Sequence, residues 1–312
     1  MLRPVKRSWA ISSGIWDFRF WIFDWQNRLM SSPESKIGKV PRGPKSKIAK
    51  DSAIGVFDSG IGGLTVLHQI IEALPRENTV YLGDTARAPY GTKSVETVLR
   101  YSFENSQFLV EKGVKLVVVA CNTSTAIALS RLQESLSVPV IGVIEPGVRR
   151  AIKSTKNKKV GVIGTEATIQ SGAYTRALKA ADPKIEVYSR ACPLFVPLVE
   201  EGWTDNAVVE MTVKAYLGSL KQSGIDTLVL GCTHYPLLKK AIRKFLGSGV
   251  RLVDSAEETA SEVAAALKKR ASGRKTGKGI HSFFVTDAPE RFVKVGRRFL
   301  GENVESAVRI ER

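Results

Sequence analysis

The sequence has few cysteines, and none of them is closely paired. Its 312 residues contain three cysteines, and no two stand in a CxxC spacing. A disulfide framework requires several paired cysteines and a structural zinc cluster requires closely spaced ones, so the sequence argues against both. This usage is typical of a reducing compartment, and we expect a cytoplasmic protein.

Long apolar runs are also missing. No uninterrupted apolar stretch approaches the length of a membrane-spanning helix, so we expect no membrane association through a span. Basic residues precede an apolar, tryptophan-rich stretch at the start, but charged residues interrupt that stretch and no A-x-A cleavage site follows. We predict that residues 1–50 are a disordered or non-native N-terminal extension, in which Met30 is the natural start of the chain and residues 31–50 are disordered. A surface-lying amphipathic helix is the alternative.

Acidic residues are scarce relative to basic ones. The chain has 47 Lys and Arg against 30 Asp and Glu, a formal net charge of +17. The first fifty residues hold 11 basic and 3 acidic side chains, and a second basic tract, residues 268–278, is predicted to be a solvated loop. Such an excess supports solubility or weak polyanion binding, and we do not expect specific nucleic-acid recognition. A basic interaction protein that touches DNA or DNA-bound enzymes is the non-enzyme alternative.

The sequence does contain two cysteines in matching settings. Cys121 follows the apolar run 116–120 and precedes Asn-Thr-Ser, whereas Cys232 follows the run 227–231 and precedes Thr-His-Tyr. Each run is typical of a buried strand in a parallel sheet, and ligands of such sheets bind at the carboxyl ends of the strands. The pair therefore predicts two catalytic thiols that act on one small molecule. Cys192 lacks such surroundings and is predicted to be structural.

Strand and helix patterns alternate along the chain, and the order of patterns restarts in its second half. A similar number of residues separates the first strand from the cysteine in each half, which indicates an internal duplication. We predict an α/β fold of two similar doubly wound parallel-sheet domains, related by pseudo-twofold symmetry, with the active site in the cleft between them. Residues 51–148 plus 255–312 would form the first domain and residues 149–254 the second, with one thiol each.

The glycine-rich loop after the first strand has two interpretations. Gly60 and Gly62 supply part of a dinucleotide-binding GxGxxG motif, and Asp84 follows about 20 residues later. However, the third glycine position holds Thr65, and Asp58 places a carboxylate where a pyrophosphate would approach. We therefore favour a tight turn whose amides bind a substrate carboxylate, while Asp58 faces a cation.

Four motifs of the chain resemble bacterial glutamate racemases. They are Val56 to Leu64, Tyr81 to Asp84 with Pro89-Tyr90-Gly91, Ala120 to Thr123, and Gly231 to Pro236. The resemblance runs from about residue 54 to about residue 300 and includes neither the N-terminal extension nor the basic tract. It implies that the chain is a homodimeric enzyme that interconverts L- and D-glutamate without a cofactor and supplies D-glutamate for peptidoglycan synthesis.

Racemisation removes the α-proton from one face of an amino acid and returns a proton to the other face. An acid/base group is therefore needed on each side of the substrate. Thiols suit this role because their ordinary pKa of about 8.5 makes both the thiol and the thiolate accessible near neutral pH. By resemblance, Cys121 takes the proton from D-glutamate and Cys232 takes it from L-glutamate. Helices predicted to begin after Asn122 and Thr233 would favour the thiolates.

The resemblance also assigns supporting residues. Asp58 is expected to hold the environment of the first thiol or the substrate ammonium, and His234 to assist proton transfer. Glu200 matches a catalytic acid beside the second thiol, although a solvated acid at a helix end is an equal alternative. The residues expected to bind the substrate are Asp58, Ser59, Tyr90, Gly91, Asn122, Thr123, Thr233 and His234.

The sequence shows neither metal-ligand spacing nor a lysine motif for pyridoxal phosphate, so we expect no metal and no cofactor. An aspartate racemase with two cysteines is the nearest alternative enzyme. His234 and the Tyr-Pro-Leu sequence after it favour glutamate.

Overall fold

Two parallel sheets organise residues 51–311, the part of the chain that the computed structural model describes, apart from the side chain of Glu302. These residues belong to one compact unit. The predictions for residues 1–50 lie outside the described residues. Every strand pairing in the described range is parallel.

The first sheet has the strand order β10-β9-β2-β1-β3-β4. Its strands are β1 (Ile54–Asp58), β2 (Thr79–Gly83), β3 (Leu116–Val119), β4 (Val140–Gly142), β9 (His281–Val285) and β10 (Val308–Arg309). The helices that follow them are α1 (Leu64–Ala73), α2 (Val95–Glu111), α3 (Asn122–Ser135), α4 (Ile144–Ser154) and α11 (Pro289–Leu300).

The second sheet has the order β6-β5-β7-β8. Its strands are β5 (Lys159–Gly164), β6 (Glu186–Ala191), β7 (Thr227–Gly231) and β8 (Arg251–Val253). The helices of this half are α5 (Glu166–Gln170), α6 (Ala173–Ala181), α7 (Phe195–Glu200), α8 (Ala207–Gln222), α9 (Lys239–Leu246) and α10 (Ala256–Lys269).

The two sheets repeat one topology. In each of them the second, first, third and fourth strands of that half lie side by side, as β2-β1-β3-β4 and as β6-β5-β7-β8. The central strands β1, β3 and β7 are fully buried, which their apolar and β-branched residues permit on both faces of a parallel sheet. The prediction of two similar parallel-sheet units is therefore confirmed.

One apolar core connects the sheets. Its largest cluster contains Val56 of β1, Ile163 of β5 and Val263 of α10, all fully buried. Helix α10 packs against α1, after which β9 pairs with β2, so the chain ends in the first sheet. The carboxyl ends of β1, β3, β5 and β7 are each followed by residues that line a common cavity.

The segments after the two cysteines differ from each other. Helix α3 begins directly after Cys121, which occupies its N-cap position. Cys232 is followed by a short 3-10 helix, Tyr235–Leu238, and only then by α9. The expectation of matching α-helix N-termini at both thiols is therefore wrong, and only the first thiol caps an α-helix.

The basic tract is only partly a solvated loop. Lys268 and Lys269 form the last turn of α10, and both are exposed. Arg274 is half-buried, and its Nη1 donates to Asn78 Oδ1 at 2.9 Å and to the Lys278 carbonyl at 3.1 Å. The loop is thus held at the amino end of β2 by specific hydrogen bonds.

Candidate active site

Both predicted catalytic thiols line one cavity. Its empty volume, including the space at the mouth, is about 410 Å³, within the range of roughly 300–1,000 Å³ usual for small-molecule sites. Its lining residues are Ser59, Gly60, Ala88, Pro89, Tyr90, Gly91, Cys121, Asn122, Thr123, Thr165, Val196, Glu200, Cys232, Thr233 and His234. Asp58 does not line it, and Cys192 is fully buried in the apolar core instead.

The first thiol lies among backbone and hydroxyl groups. Cys121 Sγ accepts a hydrogen bond from the Ser124 N–H at 3.5 Å and lies 3.6 Å from Ser59 Oγ. Burial and the negative charge of Asp58 raise the pKa of the thiol to about 11 and outweigh these hydrogen bonds. The N–H at the helix N-terminus thus favours the thiolate, as expected, but its effect is smaller than that of burial and Asp58.

Asp58 is the buried carboxylate that links the two halves of the site. Its Oδ2 accepts from the Gly60 N–H at 2.9 Å, and its Oδ1 accepts from Thr233 Oγ1 at 3.5 Å. Burial raises the pKa of Asp58, while His234 and the N–H groups of the glycine-rich loop act in the opposite direction. Asp58 lies beneath the cavity wall, where its charge acts on groups of both halves.

The second thiol lies beside an imidazole and a carboxylate. Cys232 Sγ is 3.9 Å from His234 Nδ1, and His234 Nε2 is 3.2 Å from Glu200 Oε1. Burial lowers the pKa of His234, but its hydrogen bonds with Cys232 and Glu200, together with the nearby negative charges, raise it to about 10. The hydrogen bond with His234 lowers the pKa of Glu200. At neutral pH the arrangement is an imidazolium between a sulfur atom and a carboxylate.

Further contacts fix Glu200 in place. Arg298 Nη1 donates to its backbone carbonyl at 2.7 Å, and Arg291 Nη2 lies 3.6 Å from Oε2. Glu200 is thus held by α11 of the first half as well as by His234. This favours the functional alternative over that of a solvated acid at a helix end.

Two glycines let the two halves approach each other closely. A Cβ at Gly62 would lie 2.3 Å from Thr233 Oγ1 and 2.4 Å from His234 Nδ1, and a Cβ at Gly91 would lie 2.5 Å from Thr165 Cβ. Real Cβ atoms do not approach other atoms so closely, so only glycine fits at these positions. The glycine-rich loop therefore packs against the loop of the second thiol.

The other predicted binding residues also have defined partners. The Tyr90 hydroxyl donates to Asp84 and accepts from Asn105 Nδ2 at 3.0 Å, so the ring rather than the hydroxyl is presented to the cavity. Asn122 Oδ1 accepts from the Tyr174 hydroxyl at 2.7 Å, which connects α3 with α6. Gly91, Thr123 and Thr233 all line the cavity.

Thr165 is a cavity residue that the sequence analysis missed. Its Oγ1 lies 2.9 Å from Thr123 Oγ1 and 2.9 Å from Thr168 Oγ1, so three hydroxyl groups meet where the halves join. Thr165 follows β5 as Ser59 follows β1. An alignment of the two halves of the duplication would have indicated it.

Within residues 51–311, no group of three or more His, Cys, Asp or Glu residues is arranged to hold a metal ion. In the same range, no helix has the length and apolarity needed to cross a membrane.

Comparisons with known proteins identify the family. The profile of the Asp/Glu/Hydantoin racemase family matches residues 54–263. The glutamate racemase of Geobacter metallireducens is 61% identical over 250 residues, which is 80% of this chain and 93% of that protein.

Solved structures agree with this match. The crystal structure of a glutamate racemase isoform from Bacillus anthracis gives a TM-score of 0.81 at 47% identity and covers 84% of this chain and 98% of that chain. Glutamate racemase from Francisella tularensis in complex with D-glutamate gives 0.80 at 40% identity, with the same coverage. The chain therefore belongs to the Asp/Glu/Hydantoin racemase family, as a bacterial glutamate racemase.

Proposed function

We propose that the chain interconverts L- and D-glutamate by a 1,1-proton transfer between two thiols, without a cofactor. The observation that carries this proposal is that Cys121 and Cys232, which follow equivalent strands of two repeated sheets, both line one cavity. A thiol on each wall supplies one acid/base group for each face of the α-carbon.

In the direction from D-glutamate, the Cys121 thiolate takes the α-proton and becomes a thiol. The electron pair of the broken C–H bond stays on the α-carbon and is delocalised into the carboxylate. The Cys232 thiol then donates its proton to the opposite face and becomes a thiolate, which yields L-glutamate. Exchange of protons with solvent restores the starting state, and the reverse direction exchanges the roles of the two thiols.

The charges around the first thiol explain how it ionises. Asp58 disfavours the Cys121 thiolate, but the α-ammonium group of a bound amino acid would offset that negative charge. Substrate binding would therefore lower the pKa of Cys121 and make the base available when it is needed.

The second thiol has its own positive charge. Protonated His234 stabilises negative charge on Cys232 Sγ, 3.9 Å from Nδ1, and Glu200 holds the imidazolium from its other nitrogen. We propose Asp58, His234 and Glu200 as the residues that support proton transfer. The substrate carboxylates would be bound by groups that line the cavity, namely Ser59, Gly91, Asn122, Thr123 and Thr233, with Tyr90 packing against the substrate.

The test is loss of optical rotation from separate solutions of D- and L-glutamate, with purified protein and no added cofactor. Aspartate is run in parallel to test substrate choice. In deuterium oxide, the product of each direction should carry deuterium at the α-carbon, because the donating thiol has exchanged with solvent. Failure to racemise glutamate, or activity only with added pyridoxal phosphate, would refute the proposal.

We further propose that the D-glutamate serves peptidoglycan synthesis and that the enzyme is a homodimer. Expression in a bacterial strain that requires external D-glutamate should restore growth, and the Cys121→Ser variant should not. Light scattering should give twice the chain mass, and a monomer mass across the working concentration range would refute the dimer.

A further inference from the structure

The hydroxyl of Ser124 is fully buried and has no hydrogen-bond partner among the described residues. A buried polar group without a partner is unfavourable, and such groups in native proteins call for a physical explanation. Ser124 is part of the Asn-Thr-Ser sequence after the first thiol, and the roles proposed above make no use of its side chain.

Other buried serines of the same half show the usual arrangement. Ser102 and Ser106 of α2 each donate to the backbone carbonyl four residues earlier, at 2.7 Å. Ser124 is the third residue of α3, and the Ser124 hydroxyl makes no bond of this kind. The hydroxyl of its neighbour Thr125 does have a partner, because it donates to the Val119 carbonyl at 2.9 Å. The unpartnered hydroxyl is therefore specific to Ser124.

Ser124 lies directly beside the reacting sulfur. Its backbone N–H donates to Cys121 Sγ at 3.5 Å, and its hydroxyl, like that of Ser59, acts to lower the pKa of this thiol. A neutral thiol is a weak acceptor, whereas a thiolate is a charged one. The surroundings of Cys121 thus contain a donor that is used fully only in the ionised state.

We propose that Ser124 is a catalytic residue whose hydroxyl donates to the Cys121 thiolate and completes a set of three donors with its own N–H and the Ser59 hydroxyl. When Cys121 ionises, the Ser124 hydroxyl gains a hydrogen-bond acceptor. The new hydrogen bond offsets part of the unfavourable free energy of burying the thiolate. The catalytic consequence rests on the proposed two-thiol function, but the effect on ionisation is measurable without it.

The test uses a chain in which Cys121 is the only cysteine, made with Cys192→Ser and Cys232→Ser. The rate of its alkylation by iodoacetamide is compared with and without Ser124→Ala, at several pH values well below the pKa. Loss of one hydrogen bond to a charged sulfur should raise the pKa by about one unit, which leaves about tenfold less thiolate. Because a more basic thiolate is also about threefold more nucleophilic, the net rate should fall about threefold.

Ser102→Ala in the same background is the matched control, because it removes a buried helical hydroxyl that has its own partner. Its alkylation rate should equal that of the parent. Alanine is smaller than serine, so reduced access of the reagent cannot explain slower alkylation of the Ser124→Ala chain.

The complete enzyme gives a second measurement. With all three cysteines present, Ser124→Ala should lower kcat/KM several-fold and by the same factor in both directions, because the two enantiomers have equal free energies.

Unchanged alkylation in a folded Ser124→Ala chain, or equal slowing by Ser102→Ala, would overturn the proposal. If alkylation slows but the parent does not racemise glutamate, the role of Ser124 in ionisation stands and the proposed function fails.

Discussion

The two thiols occupy equivalent places in the fold but have different surroundings. Cys121 caps an α-helix, is close to hydroxyl and backbone donors, and is influenced by a buried carboxylate. Cys232 precedes a 3-10 helix and lies beside an imidazole that is paired with a carboxylate. The repeated topology therefore places the thiols, whereas the residues of the surrounding loops decide how each is protonated.

Asp58 shows why the two settings are not interchangeable. It ends β1, whereas β5, the equivalent strand of the second half, ends at Gly164. The single carboxylate acts on both walls in different ways: it disfavours the thiolate at Cys121 and favours the protonated state of His234. One charge thus favours a neutral thiol on the first wall and an imidazolium on the second.

Removing either thiol should have the largest effect. A serine hydroxyl has a far higher pKa, so Cys121→Ser and Cys232→Ser should each lower kcat/KM by about 10²–10⁴-fold, the contribution of a positioned acid/base group. Cys192→Ser should stay within a few-fold of the parent, because Cys192 lies in the core. Optical rotation in both directions gives the rates, and circular dichroism checks folding. A folded Cys232→Ser enzyme with near-parental activity would contradict the need for a thiol on each wall of the cavity.

Asp58→Asn should have opposite effects on the ionisation of Cys121 and on the rate of racemisation. Without the negative charge, the pKa of Cys121 should fall, and Cys121 should be alkylated faster at neutral pH. Racemisation should nevertheless become about ten- to a hundredfold slower, because both the substrate ammonium and His234 lose a nearby negative charge, and each ~1.36 kcal/mol of lost transition-state stabilisation lowers the rate about tenfold. Faster alkylation together with unchanged racemisation would show that Asp58 does not act on the substrate.

The sequence was sufficient to predict the two parallel-sheet units, the two thiols and the common cavity, because the apolar runs before Cys121 and Cys232 and the polar residues after them repeat. It could not predict the net pKa of Cys121, which depends on burial and on a charge 63 residues earlier in the chain. The hold of α11 on Glu200 likewise depends on Arg291 and Arg298, which only the return of the chain to the first sheet brings near.

Glu200→Gln should change the pH dependence of stability through His234, which lies beside the second thiol. The pKa of His234 is raised from 6.5 to about 10 in the folded state, so its protonation stabilises the fold fully below about pH 6.5. This contribution is lost as the pH rises to about 10. Removing the Glu200 charge should lower the pKa of His234 and so make the stability of the fold less dependent on pH.

The free energy of unfolding, measured in urea at pH 6.5 and pH 9.5, should therefore fall less in Glu200→Gln than in the parent. His234→Asn is the control, because it lacks the titrating group and should show the flattest dependence. An equal fall in the parent and in both variants would contradict the imidazolium at the second wall.

The basic tract should be the region whose change matters least to either thiol. Arg274 bonds to Asn78, which precedes β2 and so lies at the amino end of the sheet, opposite the carboxyl ends where the cavity opens. Glutamine at the four exposed positions should therefore leave kcat and KM nearly unchanged at moderate salt, since they are distant from both walls. These positions are Lys268, Lys269, Arg270 and Lys275.

Arg274→Gln is compared with that fourfold variant, because Arg274 is the half-buried residue of the tract. It should lower the free energy of unfolding by about 0.5–1.5 kcal/mol, because it removes the partly buried hydrogen bond from Nη1 to Asn78 Oδ1 at 2.9 Å, and it should leave KM for glutamate unchanged. A large rise in KM in the fourfold variant would instead mean that the positive charge of the tract attracts the anionic substrate over a long distance. Since such attraction weakens with salt, repeating the measurement at high ionic strength would distinguish this effect from a change in the cavity itself.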